Sequence, residues 1–449
     1  MKNNRVGEFI GNPKKALFTL AFPIVIVMLV HMMYNIVDTA FVGRLGAEAI
    51  AALTFSFPLF FILISLNSGI GVGVNSRISR YLGANDSEGA ENTAIHGVLI
   101  SLIVAFLVFI FGTLTLKPLF LLFGASNNVL ALSISYMSII LMSVFFMFPS
   151  FVLSSIFSAQ GDTKTPMKIQ ICALVANIIL DPIFIYVLGY GVAGAAIATV
   201  ISLLLSLLLS VYYIRKVSQL HVSLKHFRFS FALTKQIFSI GIPASFMMIL
   251  MSFYVIFINR FMAHFGTDYV ASFGIASKLE TIATMPIVAL SMALLTLIGM
   301  FFGAKRLDLI KGISNYGIKI AVVFTSAIGI IFFLFPSLFL RVFTPDPLLL
   351  SISSAYLRID AFTFPLMAVS IIASRILQGM GLGLPGLIIQ IVRIFIFAVP
   401  LAYIFVFIMG YGYLSIAIAM VIGGIASNIT ALTWLRLKLN GMQIKQNAP

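Results

Sequence analysis

The sequence has little charge. Only 9% of its 449 residues are Asp, Glu, Lys or Arg, and 61% are hydrophobic, whereas a soluble domain carries about a quarter of charged residues. Such a composition cannot keep a water-facing surface hydrated, which excludes a soluble globular protein. It predicts a polytopic membrane protein, so the lipid bilayer is the first partner that we expect.

Cysteine and histidine are also scarce. A single cysteine, Cys172, excludes an intramolecular disulfide framework. The five histidines include no HExxH pair, and no nucleophile elbow occurs, so we expect neither an enzyme nor a bound cofactor. No small-residue cleavage site follows the first apolar run, and the run is too long for a signal-peptide core. We therefore expect it to be retained as the first helix.

Long apolar runs dominate what remains. Twelve runs of 20 or more residues are each long enough to cross about 30 Å of hydrocarbon. They lack the period-two alternation of membrane strands, so we predict an all-α membrane protein with twelve transmembrane helices. The runs are 16–42, 49–76, 93–116, 129–155, 166–188, 192–214, 235–262, 269–300, 313–338, 351–374, 384–409 and 413–435.

The basic residues behind the net charge of +15 indicate how the chain is oriented in the membrane. When the 28 basic residues are assigned to alternating sides of the predicted membrane, 21 fall on the side of the N-terminus and five on the other, with Lys278 and Arg393 inside helices. The side rich in Lys and Arg is the cytoplasmic one. We predict a multi-pass plasma-membrane protein with both termini in the cytoplasm, and we expect no nucleic-acid partner.

The two halves of the chain resemble each other. A shift of 220 positions brings Pro23 onto Pro243 and Tyr34 onto Tyr254, and "GYGVAGAAIA" at 189 matches "GYGYLSIAIA" at 410. A repeat of six helices is typical of transporters built from two similar bundles with an alternating-access cavity between them. We predict two pseudo-symmetric bundles, residues 1–214 and 236–449, joined by a cytoplasmic linker at 215–235. The alternative is an old duplication without mechanical consequence.

Three acidic residues lie well within the predicted spans: Asp38, Asp181 and Glu280, whereas the other ten are assigned to helix ends or loops. An ionised carboxylate in hydrocarbon costs at least ~2.5 kcal/mol. Asp38 aligns with Ile258 and Asp181 with Val399, so the second half builds the same helices without these two acids. Function is the economical explanation for them.

Polar residues accompany the two first-half acids on the same helix faces. Helical spacing places His31 and Tyr34 with Asp38, and Gln170 and Asn177 with Asp181. The sets are completed by Tyr136 in the fourth helix and Thr199 in the sixth. Two interpretations stay open: the carboxylates share a proton near neutral pH, or Asp38, Asn177, Asp181 and Thr199 hold Na⁺ through hard oxygens.

Simpler explanations exist for each acid. Asp38 could end its helix near the outer interface, and Asp181 could make a satisfied interhelical hydrogen bond. Glu280 could pair with Arg393, either as a structural cross-link or with a functional role. His31 is expected to line a cavity and not to bind a metal, because no second His is near it.

The chain resembles the multidrug and toxic compound extrusion (MATE) family. The motifs that carry the resemblance are "YNIVDTAFVGRLG", "SRYLGAND", "SAQGDTKTPM" and "NIILDP", in this order. The proton-coupled branch, similar to DNA-damage-inducible prokaryotic members, fits best because both acids lie in the first half. The resemblance implies a cation-coupling site at Asp38, Tyr136, Asn177, Asp181 and Thr199. It also implies a conformational hinge at Pro23.

The resemblance implies an antiporter that exports amphipathic, often cationic, organic compounds as H⁺ or Na⁺ enters. Helical faces suggest a substrate cavity lined by Met28, His31, Tyr34, Ser154 and Gln170. We expect the transporter to act as a monomer on small molecules. The alternative is a flippase for lipid or lipid-linked oligosaccharide, which would call for a more cationic cavity than Lys278 and Arg393 supply.

Overall fold

A computed structural model of the protein describes residues 5–125, 127–220, 222 and 227–447. Lys2 and Lys225, two of the 21 basic residues on the side of the N-terminus, lie outside these residues. Throughout the described part of the chain the secondary structure is helical, without strands. The predicted all-α class is therefore confirmed.

Sixteen helices make up the described chain. Three of them continue directly into π-helical turns, at Ile183–Val187, Val392–Ala398 and Ile404–Ile408. The helices are α1 Arg5–Gly11, α2 Pro13–Gly43, α3 Ala47–Gly83, α4 Ser87–Leu122, α5 Asn127–Ala159, α6 Lys164–Pro182, α7 Gly191–Lys216, α8 Phe231–Ala263, α9 Thr267–Gly303, α10 Leu307–Leu334, α11 Pro336–Leu340, α12 Pro347–Asp360, α13 Thr363–Gly379, α14 Leu384–Ile391, α15 Val399–Tyr403 and α16 Leu414–Asn447.

Eleven helical stretches in the described residues are long and apolar enough to cross a membrane. The pair α12 and α13, bent by 50° at a short break, supplies a twelfth span. The prediction of twelve spans is confirmed, with the tenth one broken.

The break in the tenth span follows from local chemistry. Pro365 has no backbone N–H, so it cannot bond to the carbonyl oxygen of Ala361 as a helix requires. The Thr363 hydroxyl can donate instead to the main-chain oxygen of Asp360 at 2.7 Å or to its carboxylate at 3.0 Å. In the first half, α5 also contains an "FP" pair, which ends in Pro149, and there α5 runs on unbroken. Proline alone therefore does not break the span.

Equivalent positions of the two halves share unusual backbone conformations. The backbone φ angle is 58° at Asn85 and 57° at Lys305, and it is 70° at Gly189 and 69° at Gly410. Non-glycine residues rarely adopt positive φ, so these matches are specific. They confirm the repeat that the sequence predicted.

Serine side chains join equivalent helices in each half. Ser150 on α5 meets Ser206 on α7 at 2.8 Å, and Ser370 on α13 meets Ser427 on α16 at 3.0 Å. Such bonds connect helices where water is excluded. In the first half this bond fixes α5 beside α7, the two helices that carry Tyr136 and Thr199.

The chain divides into two compact units. Unit 1 contains Phe22–Ser245 and the N-terminal stretch that ends at Val6, whereas unit 2 contains Gly7–Ala21 and the chain from Phe246 onward. The divisions within α2 and α8 lie beside Pro23 and Pro243. The predicted linker at 215–235, of which 221 and 223–226 lie outside the described residues, stays a prediction.

The core of unit 1 lies where α5 packs against α3, α4 and α7. Phe148 and Phe157 of α5 are fully buried there. The glycines of "GIGVG" on α3 permit close helix packing: a Cβ at Gly73 would overlap the carbonyl oxygen of Ile237 on α8. This packing holds the helices that carry the polar side chains of unit 1.

Candidate functional site

Four helices of unit 1 bring the predicted coupling residues together. Asp38 lies on α2, Tyr136 on α5, Asp181 on α6 and Thr199 on α7. Both acids act electrostatically on Tyr136, and Asp38 also acts on Asp181. Side chains that are far apart in sequence thus form one group. We call it the unit-1 acid cluster: Tyr34, Asp38, Tyr136, Asn177, Asp181 and Thr199.

Asp181 and Asn177 form the fully buried part of this cluster. Neither residue is exposed, and the Asn177 amide nitrogen donates to Asp181 Oδ1 at 3.1 Å. The bond links positions i and i+4 of the same helix. The alternative of a satisfied interhelical bond is therefore wrong for Asp181, because its other oxygen, Oδ2, has no hydrogen-bond partner among the described residues.

Asp38 has no basic side chain as a partner among the described residues. Its Oδ1 atom is buried and lacks a hydrogen-bond partner within the described residues. No Lys or Arg nitrogen of the described chain approaches Asp38 or Asp181 within 4.0 Å. A residue that merely ended its helix at the outer interface would place its carboxylate in water. The buried Oδ1 atom argues against Asp38 as a simple helix end at the outer interface.

Tyr34 belongs to the acid cluster as well. It was predicted as a lining residue of the substrate cavity, but both acids act on it electrostatically, and its ring carries the hydroxyl toward Thr199. That hydroxyl is buried without a hydrogen bond of standard length. One turn of α2 separates Tyr34 from Asp38, which is why the two side chains share a face.

The cluster is suited to accept one cation. Asp38 Oδ1, Asn177 Oδ1 and Asp181 Oδ2 are three buried oxygens without partners, and a buried acceptor without a partner costs free energy. A proton or a small hard cation would satisfy them. No group of three or more His, Cys, Asp or Glu side chains suited to a metal ion occurs in the part of the chain that the structure describes. A Na⁺ ion would thus also need amide and hydroxyl oxygens.

The predicted cavity residues are placed less uniformly. His31 on α2 makes a side-chain hydrogen bond with Gln170 on α6, so these two predicted neighbours do meet. Met28 is partly buried on α2. The hydroxyl of Ser154 on α5 is buried without a hydrogen-bond partner among the described atoms, and no hydrogen bond joins it to His31 or Gln170.

Unit 2 contains a second group of buried charges. Glu280 on α9 and Arg393 in the π-helical turn after α14 act electrostatically on Asp360 at the end of α12. Arg393 also lies 5.9 Å from the ring centre of Tyr254, and Tyr254 and Tyr356 are buried beside these charges. We call this the unit-2 charged cluster: Tyr254, Glu280, Tyr356, Asp360 and Arg393.

Asp360 is the residue that sequence reasoning missed. It was assigned to the acids at helix ends or in loops, and it does end α12, but it is only 1% exposed. The reason is that α12 ends at a break inside the tenth span and not at the membrane surface. The signal was present, because Asp360 lies within the predicted run 351–374 and shares a helix face with Tyr356.

Glu280 and Arg393 are neighbours in the structure. Arg393 attracts Glu280 electrostatically, yet no ion pair of 4.0 Å or less joins these two described residues. Because Glu280 and Asp360 share this one guanidinium, the cluster carries one uncompensated negative charge if both acids are ionised. Arg393 therefore compensates half of the buried acid charge.

The two clusters have tyrosines at equivalent positions but charged residues at different positions. Tyr34 and Tyr254 are equivalent under the 220-residue shift, as are Tyr136 and Tyr356. The acids are not, since Glu280 aligns with Phe60 and Asp360 with Ile140. Each unit thus has two tyrosines at the equivalent positions, and its own set of charged residues lies around them.

The comparison with protein families identifies the chain. The sequence profile of the MatE family matches residues 23–183 and matches again at 243–404. The chain belongs to the MatE family. Both matches begin at the equivalent prolines, Pro23 and Pro243, so this MatE chain contains the family unit twice. It is a membrane transporter and not an enzyme.

Two curated relatives of this MatE chain are named for multidrug export or resistance. It is 29% identical over 403 residues to the multidrug export protein MepA of Staphylococcus aureus, with 88% of each chain covered. It is 28% identical over 391 residues to the probable multidrug resistance protein YoeA of Bacillus subtilis, with 85% of this chain and 84% of YoeA covered. Among solved structures, a crystal structure of MATE in the bent conformation matches with a TM-score of 0.95 and 30% identity over 100% of both chains.

Proposed function

We propose that this MatE transporter is a cation-coupled antiporter that exports amphipathic, often cationic, organic compounds by alternating access. The observation that carries the proposal is the unit-1 acid cluster, in which Asp181 and the Oδ1 atom of Asp38 are buried in one group without a Lys or Arg partner among the described residues. Two buried carboxylates are costly unless a proton or cation neutralises them. Their retention in one unit fits a role in ion exchange.

The proposed cycle exchanges an ion for the cargo. With both acids ionised, the outward-facing transporter holds the cargo. A proton, or Na⁺ held by Asp38, Asn177, Asp181 and Thr199, then enters from outside and neutralises the cluster. A ligand shifts a conformational equilibrium only by its different affinity for the two states, so the neutral cluster must favour a state with weaker cargo binding.

Pro23 is the proposed hinge of this change. It lies inside α2, in the same helix as Asp38 and about four turns before it. A proline in a helix leaves one backbone carbonyl without its helical partner, so α2 can bend there at low cost. Repacking of Asp38 toward Asp181 would then be transmitted along α2.

The proposed substrate class follows from the charge of the cluster and from the relatives. Two carboxylates attract cations and repel anions, and MepA and YoeA are named for multidrug export or resistance. Met28, His31, Ser154 and Gln170 stay the proposed lining residues. The transporter would work as a monomer in the plasma membrane, with both termini in the cytoplasm as the basic residues indicate.

Efflux from proteoliposomes tests the proposal. A fluorescent organic cation is loaded, and its export is followed under a pH gradient alone and under a sodium gradient alone. We expect export with at least one of these gradients, loss of gradient-driven export in Asp38→Asn, and normal export in the matched control Asp308→Asn, which neutralises an exposed acid on α10. Full export by correctly folded Asp38→Asn would refute the role of the cluster.

A further inference from the structure

A groove lies along the end of α7 on the outside of unit 1. It has a volume of about 570 Å³, and it is lined by Leu208, Val211, Tyr212, Arg215 and Lys216. These positions follow one another at helical spacing, so they form a single stripe. The stripe covers about 12 Å of the helix axis, with apolar residues toward the middle of the span and both cations at its end.

One cation of this groove, Lys216, is held in place by a tyrosine. Lys216 donates from its ammonium to the Tyr212 hydroxyl at 2.9 Å, and the same ammonium lies 5.3 Å from the ring centre of Tyr212. Tyr213 packs edge-on against Tyr212. The lysine is therefore oriented along the groove, whereas snorkelling alone would leave it free to extend into water.

The lining residues have the chemistry of a phospholipid site. No carboxylate is among them, and Arg and Lys side chains are the usual partners of phosphate groups. Leu208 is 59% exposed and Tyr212 is 52% exposed, which leaves apolar surface free for an acyl chain on a membrane-spanning helix. Lys and Arg side chains next to the cytoplasmic end of a transmembrane helix attract anionic lipid headgroups.

We propose that this groove binds one anionic phospholipid, with its phosphate between Arg215 and Lys216 and an acyl chain along Leu208 and Val211. The symmetry of the chain argues for a built site. Arg436 on α16 is equivalent to Arg215, but Thr433 replaces Tyr212 and Leu437 replaces Lys216. General attraction of basic residues to the membrane surface would act on both helices alike. In this comparison, only α7 has a tyrosine-held lysine next to the arginine. The proposal does not depend on the transport mechanism.

Native mass spectrometry of the full chain in detergent tests the site. Phosphatidylglycerol and phosphatidylcholine with the same acyl chains are titrated against the wild type, against Arg215→Ala/Lys216→Ala and against the matched control Arg436→Ala/Lys438→Ala. The control removes two exposed charges from the equivalent helix end. We expect the first double variant to bind phosphatidylglycerol on the order of tenfold more weakly, and the control to bind it like the wild type.

Two further experiments test whether the groove binds a whole lipid molecule and not a soluble phosphate compound. Leu208→Trp fills the apolar part of the groove and leaves both charges in place, so it should weaken phosphatidylglycerol binding as well. An excess of soluble glycerol 3-phosphate should not displace the lipid. The proposal is overturned if phosphatidylcholine binds as tightly as phosphatidylglycerol, if the control variant loses as much binding as the α7 variant, if Leu208→Trp has no effect, or if glycerol 3-phosphate competes at low excess.

Discussion

Arg393 shows how much one buried side chain can determine. It is 4% exposed and is the cation that acts on both Glu280 and Asp360. A buried charge without a partner is far costlier than a buried pair. The side chain therefore stabilises unit 2, whatever the role of the two acids in transport.

Replacing Arg393 should destabilise the protein strongly. Arg393→Leu leaves two buried carboxylates without a counter-charge, and we expect a loss of about 3–5 kcal/mol, seen as a lower midpoint in thermal unfolding in detergent. Arg436→Leu, at an exposed helix end, should change the midpoint little. If Glu280→Gln added to Arg393→Leu restores no stability, the charge argument is wrong.

At the residue scale, the sequence was most informative where the repeat could be used. Asp38 and Asp181 stood out because Ile258 and Val399 occupy the equivalent positions, and the structure does bring the two acids together. Asp360 was not predicted as a buried acid, because hydropathy alone does not distinguish a break inside a span from a helix end at the membrane surface. The hydrogen bond of Thr363 to Asp360 is a local side-chain detail at the break, and apolar run length does not encode it.

Among the elements, α3 packs most closely against a neighbour. A Cβ at Gly73 would overlap the carbonyl oxygen of Ile237, and one at Gly69 would overlap that of Gly241, both on α8. Backbone atoms cannot move aside as a flexible side chain can. The glycine spacing of "GIGVG" favours close helix packing, but which helix is the partner follows only from the structure.

Gly73→Ala should therefore separate α3 from α8. We expect lower thermal stability, by about 1–3 kcal/mol for an overpacked site, and less folded protein after solubilisation. Gly274→Ala is the matched control, because no atom lies within 4 Å of the added methyl group and alanine favours a helix by roughly 1 kcal/mol over glycine. Equal stability of the two variants would contradict the packing argument.

For the whole molecule, the twelve spans could be predicted because length and hydropathy are properties of the sequence itself. Their orientation rests on the 21 to five division of basic residues, which remains a prediction. Exposed positions lie on both predicted sides: Asp308 at the start of α10 and Arg341 after α11. They allow a direct test.

Cysteine labelling should report the orientation. In a Cys172→Ser background, which removes the one natural thiol, Asp308→Cys and Arg341→Cys are treated with a membrane-impermeant maleimide. We expect Arg341→Cys to react in intact cells and Asp308→Cys to react only after permeabilisation, because the side of Asp308 is rich in Lys and Arg. The reverse pattern would place the termini outside the cell.

The central claim is that cation and cargo binding are linked through Asp38 and Asp181. Linkage is reciprocal for binding free energies, so it can be measured at equilibrium without a gradient. The decisive measurement is the affinity of the detergent-solubilised transporter for a fluorescent organic cation, as a function of pH and of sodium concentration. We predict that the wild type binds the cargo more weakly as protons or Na⁺ are added, whereas Asp38→Asn/Asp181→Asn shows no such dependence; an unchanged dependence in that variant, or none in the wild type, would contradict the account.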